Sequence, residues 1–303
     1  MSTPGATDPA VRVSKLGYVG FETPDLDRMI DYYTKILDFS LVDRSAQGAF
    51  LTTSFDHHSV VLTKGETKGR STVGYEIWEP LDDAQRRLRD AGYQVQRRSD
   101  IAPGTPDVLV LEEPGTGVPL HLLTAQDPSG VQGYTPLRPT KLGHVAAFVS
   151  ELGSMQKFYQ ELLGFKWSDT IGDFFVFLRC NCDHHTVNFI RGSRPRLHHY
   201  AFELKDFSHL QQSCEVLGQR KIPIIWGPLR HGPGHNVATY HRNHDDQVVE
   251  FFCELDQMFD EELGYFEPRP WHHDLPQRPK VWTPGQTSVW GPPPTDDFHR
   301  DRD

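Results

Sequence analysis

Asp56-His-His-Ser-Val-Val-Leu-Thr-Lys-Gly65 and Asp183-His-His-Thr-Val-Asn-Phe-Ile-Arg-Gly192 are one phrase written twice, and Lys15-Leu-Gly-Tyr18 and Lys141-Leu-Gly-His144 are a second. Repetition over so long a period marks a duplicated module. Within each copy a shorter unit recurs, a strand followed by a helix and further strands. Strands are expected over 15–21, 49–53 and 59–63. A helix is expected over 24–37, opened by Thr23 and Pro24, with Ile30, Tyr33 and Ile36 on one face. The second unit is expected at 73–77, 82–91 (helix), 108–112 and 118–123. The third starts at Lys141 with a helix over 152–163, and the fourth at Leu197 with a helix over 207–217. The fold class is therefore α+β: two tandem modules, each built from two βαβββ units forming a cupped mixed sheet around a funnel.

The modules are expected at 12–126 and 140–256. A small, polar, disordered stretch over 1–11 precedes them, and a Pro- and Gly-containing linker over 127–139 joins them. The tail, 257–303, is rich in Pro and aromatics, with little periodicity. So many large apolar residues are unusual in a free tail. Trp271, Trp282 and Trp290 are expected to dock it over a funnel or against a neighbouring subunit, with 295–303 disordered.

The chain has 303 residues, 37% hydrophobic and 11% aromatic, enough for two cores. A net charge of −10 argues against nucleic acid or an anionic membrane as the main partner. No apolar stretch approaches a membrane span, and the N-terminus lacks the features of a signal peptide, so a cytoplasmic location is expected. Cys180, Cys182, Cys214 and Cys253 have neither the number nor the spacing of a disulfide framework or a zinc site and are read as reduced thiols.

Chemistry concentrates in the second module. Leu142-Gly-His144-Val-Ala-Ala-Phe148 and Leu197-His-His199-Tyr-Ala-Phe202 each set an imidazole at the start of an apolar strand, and Val248-Val-Glu250-Phe-Phe252 sets a carboxylate among continuous hydrophobics. A buried ionised Glu neutralises, pairs or binds a metal. Two imidazoles and one carboxylate converging from three strands make a facial triad with open positions, the ligand set of non-haem Fe(II) oxygenases. His144, His199 and Glu250 are expected to hold one Fe(II), with Mn(II) as the other ion suited to such a site. The first module has Tyr18, Thr72 and His121 at the corresponding positions and is expected to be metal-free, a scaffold and oligomer contact.

These runs, with Asp183-His-His185-Thr-Val-Asn-Phe189 and His231-Gly-Pro-Gly-His-Asn-Val-Ala-Thr-Tyr240, resemble the type I extradiol ring-cleaving dioxygenases of the vicinal oxygen chelate superfamily, over roughly residues 12 to 270. The spacing from His231 to Tyr240 and on to Glu250 matches that family. The resemblance implies cleavage of a catechol-type diol by O2, in a homo-oligomer. It implies that His185 is the oxygen-side acid and hydrogen-bond donor, and that His231 and Tyr240 lie beside the diol oxygens. One departure is the turn before the metal Glu, commonly Asp-Pro-x-Gly in the family and here Asn243-His-Asp-Asp-Gln247. Phe177 is a candidate against the substrate ring, His235 a candidate on the substrate side, and Trp226 stands where relatives that take carboxylated catechols can use Arg. An aryl or alkyl ring substituent is therefore expected, although Arg230 keeps a positive charge nearby. Strand alternation is expected to turn His184 and His198 away from their neighbours' face, and His57 and His58 are read as non-catalytic. Two other classes fit the fold: an isomerase, epimerase or lyase of the same superfamily, and a ligand-sequestering protein. Neither has reason to keep His185, His231 and Tyr240 together.

Overall fold

The computed structural model describes residues 8–131, 135, 137–268, 273 and 275–300. The first module runs β1 (Val13–Thr23), α1 (Leu26–Lys35), β2 (Ser40–Arg44), β3 (Gly48–Thr52), β4 (Val60–Lys64), β5 (Gly69–Ile77), α2 (Leu81–Asp90), β6 (Gln96–Arg98), β7 (Val108–Glu112) and β8 (Pro119–Leu123). The second repeats the order with β9 (Lys141–Val149), α3 (Leu152–Lys157, continued by a wider π turn over Phe158–Leu162), β10 (Lys166–Ile171), β11 (Phe175–Arg179), β12 (Val187–Arg191), β13 (Arg196–Glu203), α4 (Phe207–Gln219), β14 (Ile224–His231), β15 (Val237–Arg242) and β16 (Val248–Cys253).

Each unit's helix crosses back so that its first strand pairs in parallel with its last. The first sheet has the order β2-β3-β4-β1-β5-β8-β7-β6. The same pattern gives β10-β11-β12-β9-β13-β16-β15-β14 in the second, and each sheet is joined at its centre by an antiparallel pair, β1 with β5 and β9 with β13. The repeated phrases have a physical basis. Lys15 pairs with Asp56 at 2.5 Å and Glu76 at 3.1 Å, and Lys141 with Asp183 at 2.6 Å and Glu203 at 3.2 Å; Lys15, Asp56, Lys141 and Asp183 line one crevice between the modules.

The first module braces the second from behind. Helix α1 starts at Leu26, two residues later than expected, because the cap is Asp25, whose carboxylate accepts the Arg28 N–H at 3.1 Å. Its Tyr32 hydroxyl lies 2.7 Å from His241 Nε2, and its Tyr33 hydroxyl 2.8 Å from that of Tyr200. Tyr200 and His241 are the strand neighbours of His199 and Tyr240, so alternation turns one residue of each pair to this brace and the other to the opposite face. The chain is also ordered earlier than expected. Ala10 and Val11 are buried, and Val11 N–H donates to the Leu162 carbonyl at 3.0 Å, which ties the start of the chain to the second module.

The tail departs most from expectation. β19 (Lys280–Trp282) adds to β10 at one edge of the second sheet, and β20 (Ser288–Trp290) adds to β14 at the other, giving it ten strands. Between them and β16, β17 (Gln257–Asp260) pairs with β18 (Tyr265–Glu267). A short helix, α5 (Asp296–His299), forms where disorder was expected, capped by Thr295, because Phe298 is an apolar anchor buried against Trp226 and Tyr240. Trp271 lies outside the described residues.

Several buried histidines are held neutral. Burial brings His58 and His241 down to about 3 and His121 to about 4, from an ordinary value near 6.5. Between pH 6.5 and about 4 the unfolded chain binds protons that the folded chain does not, so stability is lost as pH falls through this window. The loss approaches 1.4 kcal/mol per pH unit for each such group, about the limit set by linkage. The urea midpoint should drop steadily from pH 7 to pH 5; a midpoint constant over that range would contradict these protonation states.

Candidate metal centre and active-site cavity

Strand register decides which side chains converge. On β13, Ala201 faces His144 of β9 on one side and Glu250 of β16 on the other, and His199 stands two residues earlier on the same strand. A small residue at 201 leaves space for three larger neighbours. His144 Nε2 lies 3.1 Å from His199 Nε2 and 3.0 Å from Glu250 Oε2, and His199 Nε2 lies 3.1 Å from Glu250 Oε2. The three are almost fully buried and form the one such metal-ligating group among the described residues.

This near-equilateral triangle tests whether an ion fits. Donors about 2.1 Å from an ion and sharing one face of an octahedron lie about 3.0 Å apart, whereas tetrahedral donors at that distance lie about 3.4 Å apart. The observed edges match the octahedral face, with the opposite face open. Burial alone would push the Glu250 carboxyl up, but the two imidazoles hold it well below the usual carboxylate range. Burial pushes His199 down, partly offset by Glu250. A carboxylate and two imidazoles turned to one point are the donor set that binds such a metal once the imidazoles are neutral. Asn236 orients it: its Nδ2 donates to Glu250 Oε1 at 2.9 Å, leaving Oε2 for the triangle.

The triangle opens onto a cavity of about 430 Å³, within the range of small-molecule sites. His185, His231 and Tyr240 line it beside the three ligand candidates, as do Phe177 and Trp226. His185 packs edge-on to His144 and Phe177. Burial, then its histidine neighbours, hold it well below its ordinary value. His231 has its Nδ1 3.0 Å from the Thr287 carbonyl, which can only accept, so the proton is on Nδ1 and Nε2 accepts from the Tyr240 hydroxyl at 2.7 Å. Trp226 stacks on Tyr240, and its indole N–H donates to the Pro292 carbonyl at 3.1 Å. Phe148, Ile171, Phe174, Ile190 and Phe298 complete a largely apolar wall. A wider cleft adjoins it, sharing Phe148, His198 and Phe298 but lined mainly by polar groups of both modules.

Three sequence expectations change. His235 does not line the cavity: its Nδ1 faces Asp256 at 2.6 Å and its ring meets Trp282. The residue at 235 has a left-handed backbone, φ 49°, and the turn hands the cavity wall to Asn236 instead. Arg230 points away too, pairing with Glu254 at 2.7 Å, so it brings no charge to the cavity. His198 was expected to face away, yet it lines the cavity, because a bulge between Leu197 and His199 breaks the alternation. His184 does turn behind His185, where its Nε2 meets Asp169 at 3.0 Å. Sequence reading missed Asn236, Thr287 and Phe298. Asn236 could have been weighed with His235 as its neighbour in the loop; the other two lie in a tail without periodicity.

The first module shows the same frame without the chemistry. Gly74 stands where Ala201 does, paired with Tyr18 and His121, the counterparts of His144 and Glu250. Tyr18 donates to or accepts from His121 Nδ1 at 2.6 Å, and Thr72 donates to the Pro119 carbonyl. The Tyr18 ring fills the space; a Cβ at Gly74 would come within 2.3 Å of it.

Comparison with known proteins agrees with this architecture. A 1,2-dihydroxynaphthalene dioxygenase of Sphingobium xenophagum is 24% identical over 263 residues, 79% of this chain and 88% of the relative. A manganese-dependent 2,3-dihydroxybiphenyl 1,2-dioxygenase of Geobacillus genomosp. 3 is 22% identical over 92% of this chain and 96% of its own. Homoprotocatechuate 2,3-dioxygenase of Arthrobacter globiformis has a similar fold, with a TM-score of 0.84 at 20% identity over 99% of this chain and 94% of that one. The profile of the Glyoxalase/Bleomycin resistance protein/Dioxygenase superfamily matches residues 15–132 and again 141–251. By that double match over most of its length, the chain belongs to this superfamily.

Proposed function

We propose that the protein is an extradiol dioxygenase that cleaves an aromatic vicinal diol with O2 next to its hydroxyls, using Fe(II) or Mn(II) held by His144, His199 and Glu250. The observation that carries the reading is the facial triangle of 3.0–3.1 Å edges opening onto a cavity rimmed by His185, His231 and Tyr240. His144, His199 and Glu250 would hold the ion, which would supply Lewis-acid activation of the diol and of O2 at that point. Both atoms of O2 enter the product, so no external reductant is needed.

The protein's own groups do the rest. Tyr240 and His231 form a fixed donor–acceptor pair beside the diol oxygens, and Tyr240 can turn its hydroxyl to hold a deprotonated diol oxygen. His185, neutral and buried, is placed to accept a proton at the cavity side and return it as the ring opens. Phe148, Phe174, Phe177, Ile190, Trp226 and Phe298 of the cavity wall favour a diol carrying an apolar aryl or alkyl extension over a carboxylated one. Relatives named for dihydroxynaphthalene and dihydroxybiphenyl support that choice. In this reading the enzyme works in the cytoplasm as a homo-oligomer; no helix among the described residues is long and apolar enough to cross a membrane.

Protein loaded anaerobically with Fe(II) or with Mn(II), then exposed to air with catechol, 2,3-dihydroxybiphenyl, 1,2-dihydroxynaphthalene and a carboxylated catechol, should give the yellow ring-fission product with one O2 consumed per diol. The two-ring diols should have the highest kcat/KM, and Glu250→Ala should abolish the reaction. Metal-loaded protein that consumes no O2 with any of the four would move the isomerase or lyase reading ahead. Asn236→Ala should weaken metal binding about 10–100-fold, measured by competition with a chelating dye, because Glu250 then loses the bond that orients it. Unchanged affinity would remove Asn236 from the site.

A further inference from the structure

Asp169 of β10 is a fully buried carboxylate outside the cavity wall, and no step above uses it. Its Oδ1 accepts the backbone N–H of Lys280 at 2.9 Å, and its Oδ2 accepts the indole N–H of Trp282 at 2.6 Å. Both donors come from β19, so the tail strand clamps the carboxylate. His184 Nε2, 3.0 Å from the same Oδ2, completes the set as a third donor, since an ionised carboxylate only accepts.

With its proton on Nε2, a neutral His184 keeps a lone pair on Nδ1, and that atom lies 3.0 Å from Nδ1 of His185. Two lone pairs do not face each other at hydrogen-bond distance. His185 therefore carries its proton on Nδ1, donates it to His184, and is left with a bare Nε2 for the cavity. We infer that Asp169, clamped by Lys280 and Trp282, is a positioning residue that acts through His184 to fix the ring and tautomer of His185, setting its Nε2 as the proton acceptor for the bound diol. This rests on the ring-cleavage reading above.

Proton accounting follows from the chain of bonds. One diol hydroxyl gives its proton to His185 Nε2, making an imidazolium while the Nδ1–H bond to His184 persists. Asp169 sits behind the two rings as the negative charge that stabilises this state, as a carboxylate does behind the histidine of a hydrolase triad. The same proton then leaves Nε2 for an oxygen of the opening ring, and the neutral pair is restored. The tail does this twice over: its Thr287 carbonyl fixes the tautomer of His231 in the same way. Residues 280–287 thus set the proton positions of the histidines on two sides of the cavity.

The test combines histidine ¹⁵N NMR on the metal-free full-length protein with steady-state kinetics of the Fe(II)-loaded enzyme on 2,3-dihydroxybiphenyl. In the wild type, His184 should carry its proton on Nε2 and His185 on Nδ1. In Asp169→Asn that preference should be lost, and kcat should fall roughly 10²-fold or more, within the range of a disabled acid–base group, while the diol KM stays within about twofold. Trp282→Phe keeps an aromatic ring but removes one donor, and should move both readouts the same way by a smaller factor, about 3–10-fold in kcat; it decides the matter if Asp169→Asn does not fold. A wild-type His185 protonated on Nε2, tautomers that ignore both substitutions, or a rise in KM at constant kcat would each overturn the inference. If the tautomers respond as stated but no diol is cleaved, the proton arrangement stands and the ring-cleavage reading falls.

Discussion

A carboxylate with no water around it is the constraint on which the second module depends. Glu250 is buried on β16, whose other residues are all apolar, and two imidazoles facing it at 3.0 and 3.1 Å hold its carboxyl well below the usual carboxylate range. A divalent cation at the point where the three donors converge balances that charge, and their spacing suits one. Everything else in the module serves this convergence: the register that lines up His144 and Glu250 across Ala201, the bulge that sets His199, and the Asn236 amide that turns the carboxylate.

The duplication explains why so much protein surrounds so small a centre. The same four-strand unit occurs four times, and only the two units of the second module bring residues to the site. In the first module the frame is intact, but a tyrosine ring stacked over Gly74 occupies the funnel. Freed of a site, this module supplies rigidity: the hydroxyls of Tyr32 and Tyr33 meet the faces of β13 and β15 opposite to the cavity. The strands that carry His199 and Tyr240 are thereby fixed from both sides, as a preorganised centre requires.

The tail is the other half of the construction. Its two strands blunt both edges of the second sheet. They also bring groups that the duplicated frame lacks: an indole N–H and a backbone N–H for Asp169, a carbonyl for His231, and Phe298 for the cavity wall. A repeat offers the same residues to both modules, so the asymmetry that makes one of them a site has to come partly from outside the repeat.

Sequence alone determined the duplication, the order of elements, and the residue types that meet at His144, His199 and Glu250. Each of these is local or periodic: a phrase that recurs, an apolar run with one polar residue inside it, a spacing kept along a strand. The family resemblance of its motifs also placed His185, His231 and Tyr240 about one cavity, with Phe177 and Trp226 as candidates beside them. Where the backbone leaves strand alternation, counting failed. A left-handed residue at 235 exchanged His235 for Asn236, a bulge brought His198 back to the cavity, and an ion pair turned Arg230 away. The roles of Asp169, Thr287 and Phe298 come from packing between segments more than a hundred residues apart or from a tail without periodicity, so only the tertiary structure decided them: a hydrogen bond between distant strands leaves no pattern in the chain.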